Sequence, residues 1–519
     1  MKRHILPILF ILILSWWAIR PLITAGFFPM HDDTQVGRVV VMGNALRNGQ
    51  FPVRWVSDLG YGYGYPIFNF YGPLPYYVGG LLYAIGFSGL TATKIMFALG
   101  ILLPALTTYI ALFPFVGRLG ATVGSVFYLY APYHAVQMYV RGAVGEFWTL
   151  IFFPLILFGI QKKSGIIGGI GLAGVILSHT LLGYATTLFL IVGLIFKKYH
   201  VSLLLLGLGL SAFFWLPAIT EMRYTNVAAQ IGPTANFADH FVCPGELWSS
   251  PWGFGGSSPG CLDGISFKLG KIHIIAAAVG LVVRPLWAGL LIVVLSIFFL
   301  LPQSEFIWRS IPGFSYLQYP WRFLTLATFG LSILSANAIA ISRYFFIRWG
   351  IGTTLIVFVI MLEAKWFAPQ FTYAKPAADF ETTEELRYRV SKISDEYLPP
   401  DIIRPTNVTG IAGAAIRETG ELEVGTDIDK ETYKKFQLFS KGSRKITVAR
   451  AYFPGWHYLV NGKETIEYLD RGLPVLSIPE GESVVEMRFT NTPIRTLANT
   501  VTLLVIVWLI YTYGKKTHA

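Results

Sequence analysis

Charge is scarce in this chain. Asp, Glu, Lys and Arg make up 13% of its 519 residues, against about a quarter in soluble proteins. That deficit excludes an ordinary water-soluble globule, so lipid must solvate most of the chain. Cysteine is nearly missing. Two residues, Cys243 and Cys261, are too few for a disulfide-built scaffold. With no second Cys or His pair near them and no three-His cluster, a zinc site is excluded as well. Acidic residues are also few, 29 against 41 basic ones, leaving a net charge of +12. Such an excess can serve nucleic acid, but here the basic residues fill short breaks between apolar runs. That pattern encodes membrane topology, and nucleic acid is not an expected partner.

Apolar and aromatic residues are abundant. The chain is 54% hydrophobic and 15% aromatic, with 14 Trp and 27 Tyr, which suits two interfacial belts. The first run, Ile5 to Phe28, follows Lys2 and Arg3 and lacks a small-x-small cleavage site, so it reads as a retained anchor. Threading the runs so that basic breaks share one side predicts about 12 spans with both termini cytoplasmic. Spans over Ile95–Phe115, Leu119–Tyr133 and Phe147–Ile160 are part of this set. Arg118, Lys162, Lys163, Lys197, Lys198, Lys515 and Lys516 then face the cytosol. Counting the short run Tyr76–Ile85 as a span would invert every later loop, so it is expected to re-enter or lie along the outer surface.

The expected fold is a polytopic α-helical membrane protein carrying an extracytoplasmic β-sandwich. Residues 1–366 form the transmembrane part, 367–493 the β-rich part, and 494–519 a last span with a basic tail. In 367–493, short alternating runs such as Lys445–Val448 and Ser483–Met487 are separated by the turn signals Asn461-Gly462 and Glu480-Gly481. Trp456, in Tyr452-Phe453-Pro454-Gly455-Trp456, is either a core residue at a strand bend or a sugar-stacking platform. Cys243 and Cys261 share one outer loop rich in Gly, Pro and Ser. They either form a disulfide that stiffens it or stay as free thiols.

The chemistry-bearing residues crowd after the first span. His31-Asp32-Asp33 emerges at the outer interface, and an amphipathic helix lying on the membrane is expected to follow. Asp33 fits an N-cap, which leaves Asp32 without a structural task. A carboxylate beside arginines there suits a general base or a ligand for a divalent metal. Arg38, Arg47, Arg54, Lys94 and Arg141 are cations on the side that the topology otherwise keeps free of them. Arg is suited to phosphate through paired N–H donors, so as a group they point to an anionic lipid, although each is also explained by snorkelling or by pairing with Asp58 or Glu146. Arg141 and Glu146, five apart around two glycines, are close enough to bridge each other. His179 fits a packed helix-interface histidine, and Arg322, in Gln318-Tyr319-Pro320-Trp321-Arg322, either anchors a span or joins the cations.

An ordered set of short motifs spans nearly the whole chain. It comprises His31-Asp32, Gly62-Tyr63-Gly64-Tyr65-Pro66, Phe70-Tyr71-Gly72-Pro73-Leu74, Arg141-Gly142 with Glu146, and Ser250-Pro251-Trp252-Gly253-Phe254-Gly255. Tyr319-Pro320-Trp321-Arg322-Phe323, Glu396-Tyr397-Leu398-Pro399 and Pro454-Gly455-Trp456 complete it. With an outer Asp pair after the first span, a juxtamembrane Pro73-Leu74-Pro75-Tyr76-Tyr77 helix and an outer loop after the third span, the chain resembles the GT-C glycosyltransferase superfamily. More closely, it is similar to the bacterial membrane family labelled 6-pyruvoyl-tetrahydropterin synthase-related, a relative of the YfhO group. The resemblance implies a membrane enzyme of the cell envelope that transfers sugar from a polyprenyl-phosphate donor to a glycan or glycolipid acceptor on the outer face. It also implies an outer-loop Asp as base, here Asp32 or Asp33. His31, Arg38, Arg47, Arg54, Lys94, Arg141, Glu146 and Arg322 are then the expected lipid-phosphate and substrate ligands. Metal-dependent members carry an acidic pair in the second outer loop, where this chain offers only Glu146; a divalent cation, Mg or Mn, is the one cofactor left open. Two rival readings compete with this one. A lipid-linked sugar flippase or transporter needs ionisable residues inside its spans, and these spans have almost none. A non-enzymatic scaffold would bind glycan through its β-rich part alone.

Overall fold

Where the sequence is continuously apolar the backbone is helical, as lipid demands of a chain that must satisfy its own polar groups. The computed structural model describes residues 2–194, 200–227, 236–417 and 422–517; Lys197 and Lys198 lie outside the described residues. Among the described residues five helices are long and apolar enough to cross a membrane, or up to eight if each bent pair counts as one span. Three shorter apolar helices accompany them. The chain divides into two compact units, each drawn from three segments. The first comprises Met1–Asp32, Lys94–Leu210 and Ile231–Ala374; the second comprises Asp33–Thr93, Ser211–Gln230 and Lys375–Ala519.

The first unit is helical. Its opening run is a bent pair, His4–Leu14 and Trp16–Ile23, at 53°. The bend falls at Ser15, whose hydroxyl turns back onto the Leu12 carbonyl at 2.6 Å. Gly89–Leu129 is helical on both sides of Gly117, whose φ of 71° and ψ of −177° break it. The chain folds back there, since a Cβ on Gly124 would lie 2.6 Å from Leu112 Cδ1. Only glycine adopts that backbone without strain. The first arm carries the expected Ile95–Phe115 run, and the second carries the Leu119–Tyr133 run only as far as Leu129, with a separate short helix starting at Pro132. Pro320–Ile341 has 83% of its apolar window buried, whereas Phe345–Trp366 has 17%. The former is an inner helix; the latter turns Phe346 and Met361 outward, a surface suited to hydrocarbon.

The second unit holds the β region. Among the described residues nine strands form two antiparallel sheets: β1 Ile416–Arg417, β2 Leu422–Asp429, β3 Tyr433–Ser440, β4 Arg444–Val448, β5 Trp456–Val460, β6 Lys463–Glu464, β7 Tyr468–Asp470, β8 Leu473–Ile478 and β9 Gly481–Phe489. Their orders are β1-β4-β8-β7 and β2-β3-β9-β5-β6. Period-two burial follows the sequence: Lys434, Phe436 and Leu438 on β3 and Val485 and Met487 on β9 are buried, while Gln437 and Phe439 are exposed. Asn461 and Gly462 both take positive φ, 51° and 80°, and close the β5–β6 hairpin as their sequence predicts. Trp456 is 4% exposed and packs edge-on to Trp55, 5.4 Å between ring centroids. It is a core residue and offers no face to a sugar.

Two local expectations are corrected in this unit. The helix after the first span, Gln35–Arg47, exists but is not a surface helix. Gln35 to Gly43 and Ala45 are all buried, because Leu74–Ala84 covers one side so closely that a Cβ on Gly43 would meet Tyr83 at 2.5 Å. Its N-cap position is Thr34, not Asp33. Leu74–Ala84, from the ambiguous Tyr76–Ile85 run, has 11 residues. At about 1.5 Å per residue it is too short for a hydrocarbon core about 30 Å thick.

Candidate functional site

The first unit gathers five of the residues singled out from sequence: His31, Asp32, Arg141, Glu146 and Arg322. Val136–Arg141 is a π-helical turn that ends at Gly142 in the left-handed region, and a new helix starts at Val144. This sharp reversal lets two residues five apart face each other. Arg141 Nη1 donates to Glu146 Oε2 at 2.8 Å. The Glu146 carboxylate is buried, so its remaining lone pairs need donors. Tyr133 Oη donates to Oε1 at 2.7 Å, Gln137 Nε2 at 3.0 Å and Thr325 Oγ1 at 3.3 Å. Arg322 Nε lies 3.6 Å from Oε2 and its Nη1 donates to the Leu317 carbonyl. Thr325 follows Arg322 by three residues, so both point at Glu146 from one helix face.

A short extended pairing attaches the chain after the first span to this cluster. The His31 N–H donates to the Val140 carbonyl at 3.1 Å and the Asp32 N–H to the Arg141 carbonyl at 2.9 Å. The half-exposed Asp32 side chain therefore sits beside Arg141, whose guanidinium stacks over Trp321 at 4.2 Å. Burial works against the Arg141 charge, yet Glu146, Tyr133 and Asp32 hold its pKa above the ordinary value. His31 is exposed, with Nε2 within 3.1 Å of the Phe254 carbonyl. Phe254 lies in a loop closed by a disulfide between Cys243 and Cys261, whose Cα atoms are 5.6 Å apart, and it bridges Ile265 just beyond that loop.

The other expected residues are elsewhere. Lys94 Nζ donates to the Thr24 carbonyl at 2.8 Å, at the C-terminal end of Trp16–Ile23, a use of Lys as helix cap. Asp33, Arg38, Arg47 and Arg54 belong to the second unit. Asp33 pairs with Arg389 at 2.9 Å; burial raises its pKa and Arg389 opposes the rise. Arg38 and Arg54 are buried and hold protein groups, Arg38 the Ser394 hydroxyl at 2.8 Å and Arg54 the Asn69 amide oxygen at 2.9 Å. Arg47 is spent on the Tyr83 and Ala84 carbonyls at 2.6 and 3.1 Å. Asp58 pairs with Arg387, not with any of these three.

Sequence reasoning missed the partners that fix Glu146. Tyr133 enters the sequence reading only as the end of a span, Gln137 has no part in it, and Thr325 gave no signal, being 179 residues from Glu146. His179 is a helix cap, its Nδ1 accepting the Leu182 N–H at 3.1 Å. Among the described residues no three His, Cys, Asp or Glu side chains are grouped to hold a metal ion. Glu146 is committed to arginines, so the residues around Asp32 do not fit a divalent cation. No family model matches the chain, and no curated protein or solved structure is significantly similar to it.

Proposed function

We propose that the protein is an inverting glycosyltransferase of the GT-C type, using a polyprenyl-phosphate-linked sugar on the outer face of the cell membrane. The observation that carries this reading is the Asp32 carboxylate held beside Arg141 by the 2.9 Å backbone bond, with Arg322 joined to the same buried Glu146. Asp32 takes the proton of the acceptor hydroxyl as its oxygen attacks the anomeric carbon. The bond from that carbon to the lipid phosphate breaks, and its electron pair leaves on the phosphate oxygen. Two guanidiniums against one buried carboxylate leave one positive charge near the leaving group once Asp32 is protonated. Charge is thus supplied as the phosphate develops its own.

A twelve-span topology with both termini cytoplasmic and the β region outside accords with this assignment. The five to eight candidate spans among the described residues support a multi-pass protein, and the further crossings are part of the proposal. The acceptor is a glycan or glycolipid of the envelope. Asp32→Asn should lower transfer by roughly 10²–10⁴-fold while the protein still inserts and folds. Transfer by that variant at the wild-type rate would refute the role given to Asp32.

A further inference from the structure

The β region of the second unit contains a cavity of about 130 Å³ between β1 on one sheet and β2 and β3 on the other. A single water needs only about 10–15 Å³ on that measure, so the space takes a guest the size of a sugar ring. Ile416, Val424 and Phe436 form its apolar wall, and Thr426, Asp429, Arg387 and Arg450 bring polar groups to it. Gly62 completes the lining; its φ of +81° and a would-be Cβ contact of 2.7 Å with the Ala412 carbonyl leave no room for a side chain.

Arg450 is the anomaly. It is 6% exposed, yet its hydrogen bonding among the described residues is one 3.4 Å contact from Nη1 to the Ser57 carbonyl, and its buried Nε has no acceptor. Other charged groups nearby are matched: the half-buried Arg387 donates twice to Asp58 Oδ1 at 2.8 and 3.0 Å, the buried Lys434 pairs with the exposed Asp429, and the buried Glu431 accepts the Ser57 N–H at 2.6 Å. A guanidinium has five N–H donors in a planar fork, and leaving them unmatched in the interior is costly. Burial also lowers the Arg450 pKa, with the Glu431 carboxylate opposing that shift and Arg387 adding to it.

We infer that this cavity is a binding site for a sugar-sized oxyanion, a carboxylate or phosphate on a hydroxylated ring, gripped by Arg450. The oxyanion takes guanidinium donors that protein groups leave unmatched, through the paired N–H geometry for which Arg is suited. Ring hydroxyls meet Thr426 and Asp429, and the apolar ring face lies on the Phe436 side. The inference does not depend on the transfer reaction: the Asp32 cluster lies in the other unit, and the site stands whether or not that cluster is catalytic.

Calorimetric titration of the full chain in detergent tests it, using glucuronate, glucose 6-phosphate and neutral glucose. One or both acids should bind with a Kd of about 1 mM or tighter, and glucose at least roughly tenfold more weakly. Binding of glucuronate marks an acidic sugar as the guest, and binding of glucose 6-phosphate alone marks a phosphorylated one. Arg450→Met should abolish binding. Should that variant fail to fold, Thr426→Trp, which fills the cavity from an exposed strand position, decides the matter by weakening the acid roughly tenfold or more at an unchanged unfolding midpoint. No binding of either acid, equal binding of glucose, or an unchanged affinity in Thr426→Trp would overturn the proposal.

Discussion

Glu146 is the residue on which the first unit's charges depend. Its carboxylate is 1% exposed and joins Arg141 and Arg322. Removing one partner of a buried pair costs about 3–5 kcal/mol, because the remaining charge is stranded. Glu146→Gln is therefore expected to lower the unfolding midpoint in detergent strongly. Asp33→Asn, which loses a pair with the half-exposed Arg389, should cost no more than about 1 kcal/mol. Equal midpoints for the two variants would show that Glu146 is not holding the arginines. At this scale the sequence was half legible. The Arg141–Glu146 bridge is local and could be read from two glycines between charged residues. Arg322 and Thr325 reach the same carboxylate only through the tertiary fold, which no local spacing announces. Arg38 and Arg54 misled for a related reason: an arginine that defies the topology bias looks available, while burial had already assigned its donors to protein groups.

Helices were legible as lengths and compositions, and less so as surroundings. Gln35–Arg47 shows apolar residues at helical spacing, which fits a membrane-surface helix, but Gly43 admits Leu74–Ala84 and Gly37 admits Val390 so closely that Gln35 to Gly43 are all buried. Periodicity reports one apolar face and cannot report a second element arriving on the other. The turn at Gly117 was likewise anticipated only as a break marked by Arg118. Between the disulfide-closed loop and the helix Lys271–Val283, Lys268 lies 3.4 Å above the Trp366 ring. Burial brings its ammonium down to about 8, with Glu363 opposing and Lys365 assisting that fall. An unfolded lysine titrates near 10.4, so between those values the unfolded chain holds the extra proton and stability rises with pH. Below about 8 both states are charged and the full penalty applies. The unfolding midpoint of the wild type relative to Lys268→Met should therefore climb from pH 8 towards pH 10. A difference that stays flat over that window would contradict the burial of this ammonium.

At the scale of the molecule, scarcity of charge and a surplus of apolar surface lead directly to helices that can cross a membrane, and alternation leads to the β strands near the C-terminus. The interleaving of three chain segments in each unit was not readable, since composition changes along the chain while packing joins its distant parts. The functional account narrows to one requirement: the Asp32 and Arg141 neighbourhood must receive a lipid phosphate. Mass spectrometry of lipid co-purifying with the intact, gently solubilised protein tests this most directly. A polyprenyl phosphate, free or carrying a sugar, that is retained by the wild type and lost from Arg141→Ala is the expected result. Recovery of bulk phospholipid alone, or of the same polyprenyl phosphate at undiminished yield from Arg141→Ala, would contradict the account.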